Sequence, residues 1–422
     1  MDYLGRRALL ALPRLLGLDL DLAQGLRRQL APLDMQSLLD VATRQTGLAD
    51  FGDEGFRTGL GILLESYEAD AGLNTIGRLA ARADVLRILK TRLRLEDDRK
   101  RFPEIAHEAI VKPIFITGLP RSGTTLLHNL LAQDPDSRVP LTWEVMFPTP
   151  PPAHDTHDRD PRIAEAGASL AWLDCLAPGF RRIHPVDAGL AQECIEITTY
   201  AFESPRFHTT HNAVAYQTWL AGCDQRAAYA YHRRVLQQLQ CRFPARRWVL
   251  KAPSHLFALE ALVETYPDAC IIQTHRDPLE VLPSTASLTA ALRRAFSNTV
   301  DLAEIGTEVV QRWAEGLRRA AEFRTTHTLR TPACDVWYAD LLCDPIAEVQ
   351  RIYRHFDLEL TAPLEAAMRR YLAANPQHKH GTHDYALNEF GLAPNQVKSQ
   401  FHAYYDRMFS SRNAGMPMAR QS

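Results

Sequence analysis

The chain has 422 residues, 46% hydrophobic and 23% charged, an ordinary globular composition that excludes a disordered or fibrous protein. A net charge of −2 excludes a general electrostatic pull toward nucleic acid, and no such partner is expected. Seven cysteines, odd in number and never spaced as CxxC, fit reduced thiols in a cytoplasmic protein and argue against a disulfide frame or a zinc site.

The first 20 residues, MDYLGRRALLALPRLLGLDL, place Arg6 and Arg7 before a leucine-rich run. Pro13 and Arg14 interrupt that run, and nowhere does the chain offer about 18 uninterrupted apolar residues, so neither a signal peptide nor a membrane span is expected. An amphipathic helix packed on the body or on a second copy fits better, which leaves a homodimer open. Apolar residues at helical spacing then recur around Leu38 and Leu39, Leu60 and Leu63, and Val85 and Leu89, with the charged run 96–101 read as a solvated connector. Residues 1–110 are therefore expected to form a helical N-terminal extension or lid.

Residues 113–132, PIFITGLPRSGTTLLHNLLA, carry the strongest signal. Ile114, Phe115 and Ile116 read as a buried strand, Gly118 to Gly123 as a turn whose amides converge on an anion, and the residues after it as a helix with its positive end on the same anion. A Walker loop would place Lys after the second glycine, to reach the β- and γ-phosphates, and a hydroxyl on magnesium. Here Thr124 and Thr125 follow Gly123, and a cation sits inside the loop as Arg121. That pattern suits a nucleotide with a 5′-phosphate group and no bound metal, rather than a magnesium-bound triphosphate.

The proline cluster in 140–152 stops regular structure, and His154, Asp155, His157 and Asp158 read as solvated turn residues. Residues 150–243 look like a helical insertion in a domain spanning 111–422. Within it Glu193 and Glu196 share one side of a turn, and His208 and His211 lack a convincing third metal ligand.

A second strand, Trp248 to Leu250, ends in Lys251 and is followed by His255 in the expected first turn of a helix, with Ser254 as its cap. A third, 269–274, ends in His275, Arg276 and Asp277; a fourth, 334–338, ends in Tyr338. Alternating strands and helices imply an α/β protein, a P-loop-containing three-layer fold with a mostly parallel central sheet plus the helical N-terminal region. Ligands in such sheets bind beyond the carboxyl ends of the strands, where Arg121, Lys251 and Arg276 meet. Three cations at one edge imply an anion with more than one phosphate.

These residues resemble the sulfotransferases that use 3′-phosphoadenosine 5′-phosphosulfate (PAPS), and look most like bacterial members with a helical N-terminal extension. The resemblance implies that Gly118, Pro120, Arg121, Ser122, Gly123, Thr124 and Thr125 surround the 5′-phosphate and sulfonate oxygens. It implies that Arg276 and Ser284, eight residues apart in HRDP…S, hold the 3′-phosphate, and that Tyr338 lies near the nucleotide. Lys251 matches a strand-end Lys near the leaving group, and Lys379, in HKHG, stands where the cytosolic enzymes carry an Arg-Lys-Gly on the 3′-phosphate. For the base, Glu144 matches an acid about 20 residues beyond the loop arginine and is preferred, with His255 the alternative. The implied reaction is direct in-line transfer of a sulfuryl group to a hydroxyl of a small-molecule, carbohydrate or glycolipid-like acceptor, without metal. A P-loop kinase or NTPase, or a non-catalytic nucleotide-binding protein, is the competing reading.

Overall fold

The computed structural model describes residues 28–176, 186–244, 246–376 and 386–409. Three helices come first: α1 (Met35–Thr46), α2 (Phe56–Ala69) and α3 (Thr75–Arg101). Asp34 caps α1 by accepting from the Ser37 amide, and Asn74 caps α3 by accepting from Gly77, each satisfying an amide that the helix leaves unpaired. The charged run 96–101 is not a connector but the last turns of α3. Its Asp98 is buried and accepts from Gln238 Nε2 at 2.7 Å.

The phosphate-loop unit follows as β1 (Ile114–Gly118) and α4 (Thr124–Leu131), then β2 (Ser137–Arg138) and α5 (Thr142–Met146). A helical stretch comprises α6 (Pro161–Leu176), α7 (Cys194–Thr198), α8 (Arg206–His211), α9 (Val214–Gly222) and α10 (Arg226–Gln240). The chain then alternates: β3 (Arg247–Lys251), α11 (Leu259–Thr265), β4 (Cys270–His275), α12 (Pro278–Phe296), α13 (Leu302–Thr326), β5 (Cys334–Trp337), α14 (Tyr338–Cys343), α15 (Pro345–His355) and α16 (Ala362–Ala374).

All strand pairings are parallel, in the order β2-β3-β1-β4-β5. β1 lies at the centre, with Phe115 opposite Leu250 on one side and Ile271 on the other. The pleat sends alternate residues to opposite faces. Ile114, Ile116, Val249 and Ile272 pack with Leu127 of α4 and Val349 of α15, while Phe115, Leu250 and Ile271 join Leu236 of α10 and Leu262 of α11. Leu38, Leu60, Val85 and Leu89 belong to that second cluster too, so the N-terminal helices share one core with the sheet.

One helix reaches from the sheet edge into the helical layer. α12 starts directly after the carboxyl end of β4, with Asp277 capping it and Pro278 at its first position, where a missing N–H costs nothing. α3 crosses to it, its Asn74 amide donating to the Phe296 carbonyl at 2.9 Å. Gly77 allows this approach, since a Cβ there would lie 2.1 Å from that carbonyl oxygen.

Candidate active site

The loop between β1 and α4 holds its shape through glycine and left-handed backbone. Gly118 has φ +136, and a Cβ on it would meet the Thr274 carbonyl oxygen at 2.4 Å. Arg121 adopts φ 64 and Gly123 φ 90, turns that bring successive amides toward one concave side. The side chain of Tyr338 lies over Gly123, where a Cβ would come within 2.9 Å of its ring. Ser122 is buried, and its hydroxyl lies 2.5 Å from the Leu119 carbonyl and 2.6 Å from Thr274 Oγ1. It pins the loop to β4, which leaves the Ser122 backbone amide, rather than its hydroxyl, as the group that could meet the expected 5′-phosphate.

Arg276 joins the loop directly: its Nη1 donates to the Arg121 carbonyl at 2.9 Å, and its guanidinium lies 4.1 Å from the centre of the Tyr338 ring. Ser284, two turns into α12, has a buried hydroxyl with no hydrogen-bond partner among the described residues. An orphaned buried hydroxyl is costly unless a ligand completes it, and it sits on the helix that Arg276 leads into. Lys379 lies outside the described residues.

Lys251, at the carboxyl end of β3, is buried, and its Nζ donates to Glu193 Oε1 at 2.5 Å. Below it, burial together with the Lys251 charge pushes the His128 imidazole down to about 3, so this ring stays neutral.

The loop, Arg276, Tyr338 and Glu193 open onto one cavity of about 860 Å³, while Lys251 and Ser284 are buried just behind residues of its wall, next to Glu193 and Thr285. One side is lined by Pro120, Arg121, Gly123, Thr124, Thr125, Arg276 and Tyr338. The other is apolar, with Ile76, Leu79 and Ala80 from α3 and Leu288, Leu292 and Phe296 from α12. Gln192, Glu193 and Glu196 lie on its wall, as do Asp84 and Arg206.

Neither expected base lines this space. Glu144 is fully buried, ion-paired to Arg138, 3.0 Å from His157 Nε2, and accepts from the Leu141 amide at 2.9 Å. Burial would raise its carboxyl, but Arg138 and His157 outweigh that and hold it below the usual range. The preference for Glu144 is therefore corrected: it is a structural anchor of α5. His255 sits in a 3-10 turn, its Nδ1 2.5 Å from the Tyr229 hydroxyl and its ring edge-on to Phe115 at 5.1 Å. Burial, with His232 and Lys251 adding to it, keeps this imidazole well below its ordinary range, and only its neighbours Pro253 and Ser254 face the cavity. No side chain caps that turn, so Ser254 is not the cap expected of it.

The acid that does face the cavity beside a strand-end cation is Glu193. Its pairing with Glu196 one turn on was visible in the sequence, but nothing in the residue order ties it to Lys251. His208 and His211 go to separate partners, Glu308 at 2.7 Å and the Tyr67 hydroxyl at 3.2 Å. Among the described residues no group of three or more His, Cys, Asp or Glu is placed to hold a metal ion.

The profile of the sulfotransferase family matches residues 113–362. The chain belongs to this family. The sulfotransferase STF1 of Mycobacterium tuberculosis, in its crystal structure, is 34% identical and superposes with a TM-score of 0.78, covering 88% of this chain and 98% of that one. The sulfotransferase STF9 of Mycobacterium avium is 28% identical with a TM-score of 0.79, covering 89% and 96%. The omega-hydroxy-beta-dihydromenaquinone-9 sulfotransferase Stf3 of Mycobacterium bovis is 26% identical over 309 residues, 70% of this chain and 76% of its own length. The sulfotransferase described here has the parallel sheet and helical N-terminal region expected from its sequence. No helix among its described residues is long and apolar enough to cross a membrane.

Proposed function

We propose that the enzyme moves the sulfuryl group of PAPS to the hydroxyl of a lipid-like acceptor by direct in-line transfer. The observation that carries this reading is the shared cavity. An anion-cradling loop backed by Arg276 and an apolar wall from α3 and α12 line the same space, and Glu193 lines it too. The 5′-phosphosulfate lies against the loop amides, Arg121 and Thr125; the 3′-phosphate takes Arg276 and completes the orphaned Ser284 hydroxyl.

Glu193 accepts the proton of the acceptor hydroxyl. The freed oxygen pair attacks sulfur, the bond from sulfur to the bridging phosphate oxygen breaks, and the electron pair leaves on that oxygen. Because Glu193 is neutralised in this step, it releases its hold on the Lys251 ammonium as negative charge develops on the leaving group. Lys251 then serves that charge in a site shielded from water, where such stabilisation is strongest. The relative acting on a hydroxylated menaquinone supports a lipid-like acceptor, as does the apolar wall.

The test is transfer of labelled sulfate from PAPS to a lipid extract, with mass identification of the product. Transfer that persists under magnesium chelation supports the reading. Tight magnesium-dependent ATP binding without sulfate transfer overturns it.

A further inference from the structure

Among the described residues, the charges of the acceptor side do not cancel. Lys251 is matched by Glu193 at 2.5 Å. Arg87 and Arg206 are matched by two acids: Asp84 lies 2.9 Å from Arg87 and 2.5 Å from Arg206, and Glu196 lies 3.4 Å from Arg206. The remaining network has two guanidiniums and one carboxylate. Glu308 lies 2.7 Å from Arg293 Nη2 and 2.7 Å from His208 Nε2, with Arg312 close enough to act on it electrostatically.

The other titratable groups there do not supply the missing negative charge. Burial lowers His208, and lowers His211 to about 4, so both rings are neutral near pH 7. Glu308 is already an anion, since His208, Arg293 and Arg312 override its burial and bring it down to about 2. Arginine cannot escape by losing its proton, so one positive charge is left over in a low-dielectric wall.

That charge is Arg312, by its contacts. It lines the cavity beside Thr209, Thr289 and Trp313. Among the described residues its Nε is buried without a partner, and its Nη1 donates to Thr209 Oγ1 at 3.4 Å. Its guanidinium lies 5.5 Å from the Trp313 ring, an aromatic neighbour that tolerates a cation but does not neutralise it. Arg293, which joins the same network, stands nine residues beyond Ser284 on α12, or about 14 Å along the helix axis. The excess charge is therefore well separated from the 3′-phosphate contacts.

We infer that the acceptor carries a carboxylate, separated by an apolar segment from the hydroxyl that is sulfated, and that Arg312 receives it on the cavity wall. This rests on the lipid-like acceptor proposed above. A planar guanidinium flanked by apolar surface suits a carboxylate at the end of a hydrocarbon segment, since its fork of donors matches two oxygens at once.

Two fluorescent probes of one chain length test it: cis-parinaric acid and the corresponding alcohol, each titrated into the full-length enzyme saturated with 3′-phosphoadenosine 5′-phosphate. The native enzyme is expected to bind the acid about tenfold more tightly than the alcohol, as a charge-assisted pair requires. Arg312→Met should bring the two within about twofold, while Arg312→Lys keeps part of the preference. Glu308→Gln, which removes the competing carboxylate, should strengthen the preference and gives an independent arm if Arg312→Met does not fold. Equal affinity for acid and alcohol in the native enzyme overturns the inference, as does a preference unchanged in Arg312→Met and Glu308→Gln, or failure of both probes to bind. Failure of the donor reading shows separately, as no heat of binding when 3′-phosphoadenosine 5′-phosphate alone is titrated into the enzyme before either probe is added.

Discussion

The two sides of the cavity are built in different ways. The donor side comes from short segments at strand ends, fixed by backbone: Gly118, Arg121 and Gly123 set the loop, and the single step from β4 into α12 delivers Arg276 and Ser284. The acceptor side is assembled from side chains of α3, α8, α12 and α13, drawn from positions as far apart as Ile76 and Trp313. A site made of backbone turns tolerates little variation in sequence. One made of helix faces can change its lining while the fold persists.

Glu193→Gln tests the border between the two sides most severely. Losing the proton acceptor should lower kcat by about a thousandfold while nucleotide affinity stays near native, measured by sulfate transfer and calorimetry. An activity within a few fold of native would remove Glu193 from the mechanism. Glu144→Gln should behave in the opposite way. It leaves Arg138 buried without its counter-charge and should cost about 3 kcal/mol of stability in denaturant titration, with kcat per folded molecule unchanged. A large kcat loss there would return the base to α5.

Arg276→Ala should weaken nucleotide binding by about tenfold to a hundredfold, the scale of a charged hydrogen bond, and leave probe binding on the acceptor side intact. If both fall together, the two sides are less independent than their construction indicates. The smallest effect concerns Glu203, beneath the helical layer, where burial, with Asp224 adding to it, lifts the carboxyl to about 7. Its folded pKa is raised, so between the unfolded value of about 4.3 and 7 the folded state holds a proton that the unfolded state has lost, and stability falls as pH rises across that window. Glu203→Gln removes this penalty and should raise Tm by a few degrees at pH 8 but hardly at pH 5.

The same division explains what could be read from the sequence. β1, β3, β4 and β5 were legible as short apolar runs, and Arg121 and Arg276 stood out at a turn and a strand end, whereas Ser284 enters only through the resemblance to the PAPS-using sulfotransferases. β2, with two residues, leaves almost none. Glu144 reads as the base because it matches the position of an acid about 20 residues beyond the loop arginine in similar enzymes. Glu193 is nearer Lys251 in space, brought there by a helical stretch whose path no local pattern encodes. The charged tail of α3 misled for a related reason: its residues are polar, yet Asp98 turns inward to Gln238 and belongs to the packing. The imbalance at Arg312 depends on neighbours such as Thr209 and Arg293, which the order of residues does not place beside it.

α12 starts beside Arg276 at one end and lines the apolar cavity wall further along, as one helix that carries Pro283 near its start. A single residue inserted between Ser284 and Leu288 would turn everything beyond it by about 100° without disturbing Arg276. Leu288, Leu292 and Phe296 would rotate away from the cavity together and other faces would take their place. Acceptor choice in this enzyme is thus open to change by shifting a phase as well as by exchanging residues one at a time, with the nucleotide grip left as it was.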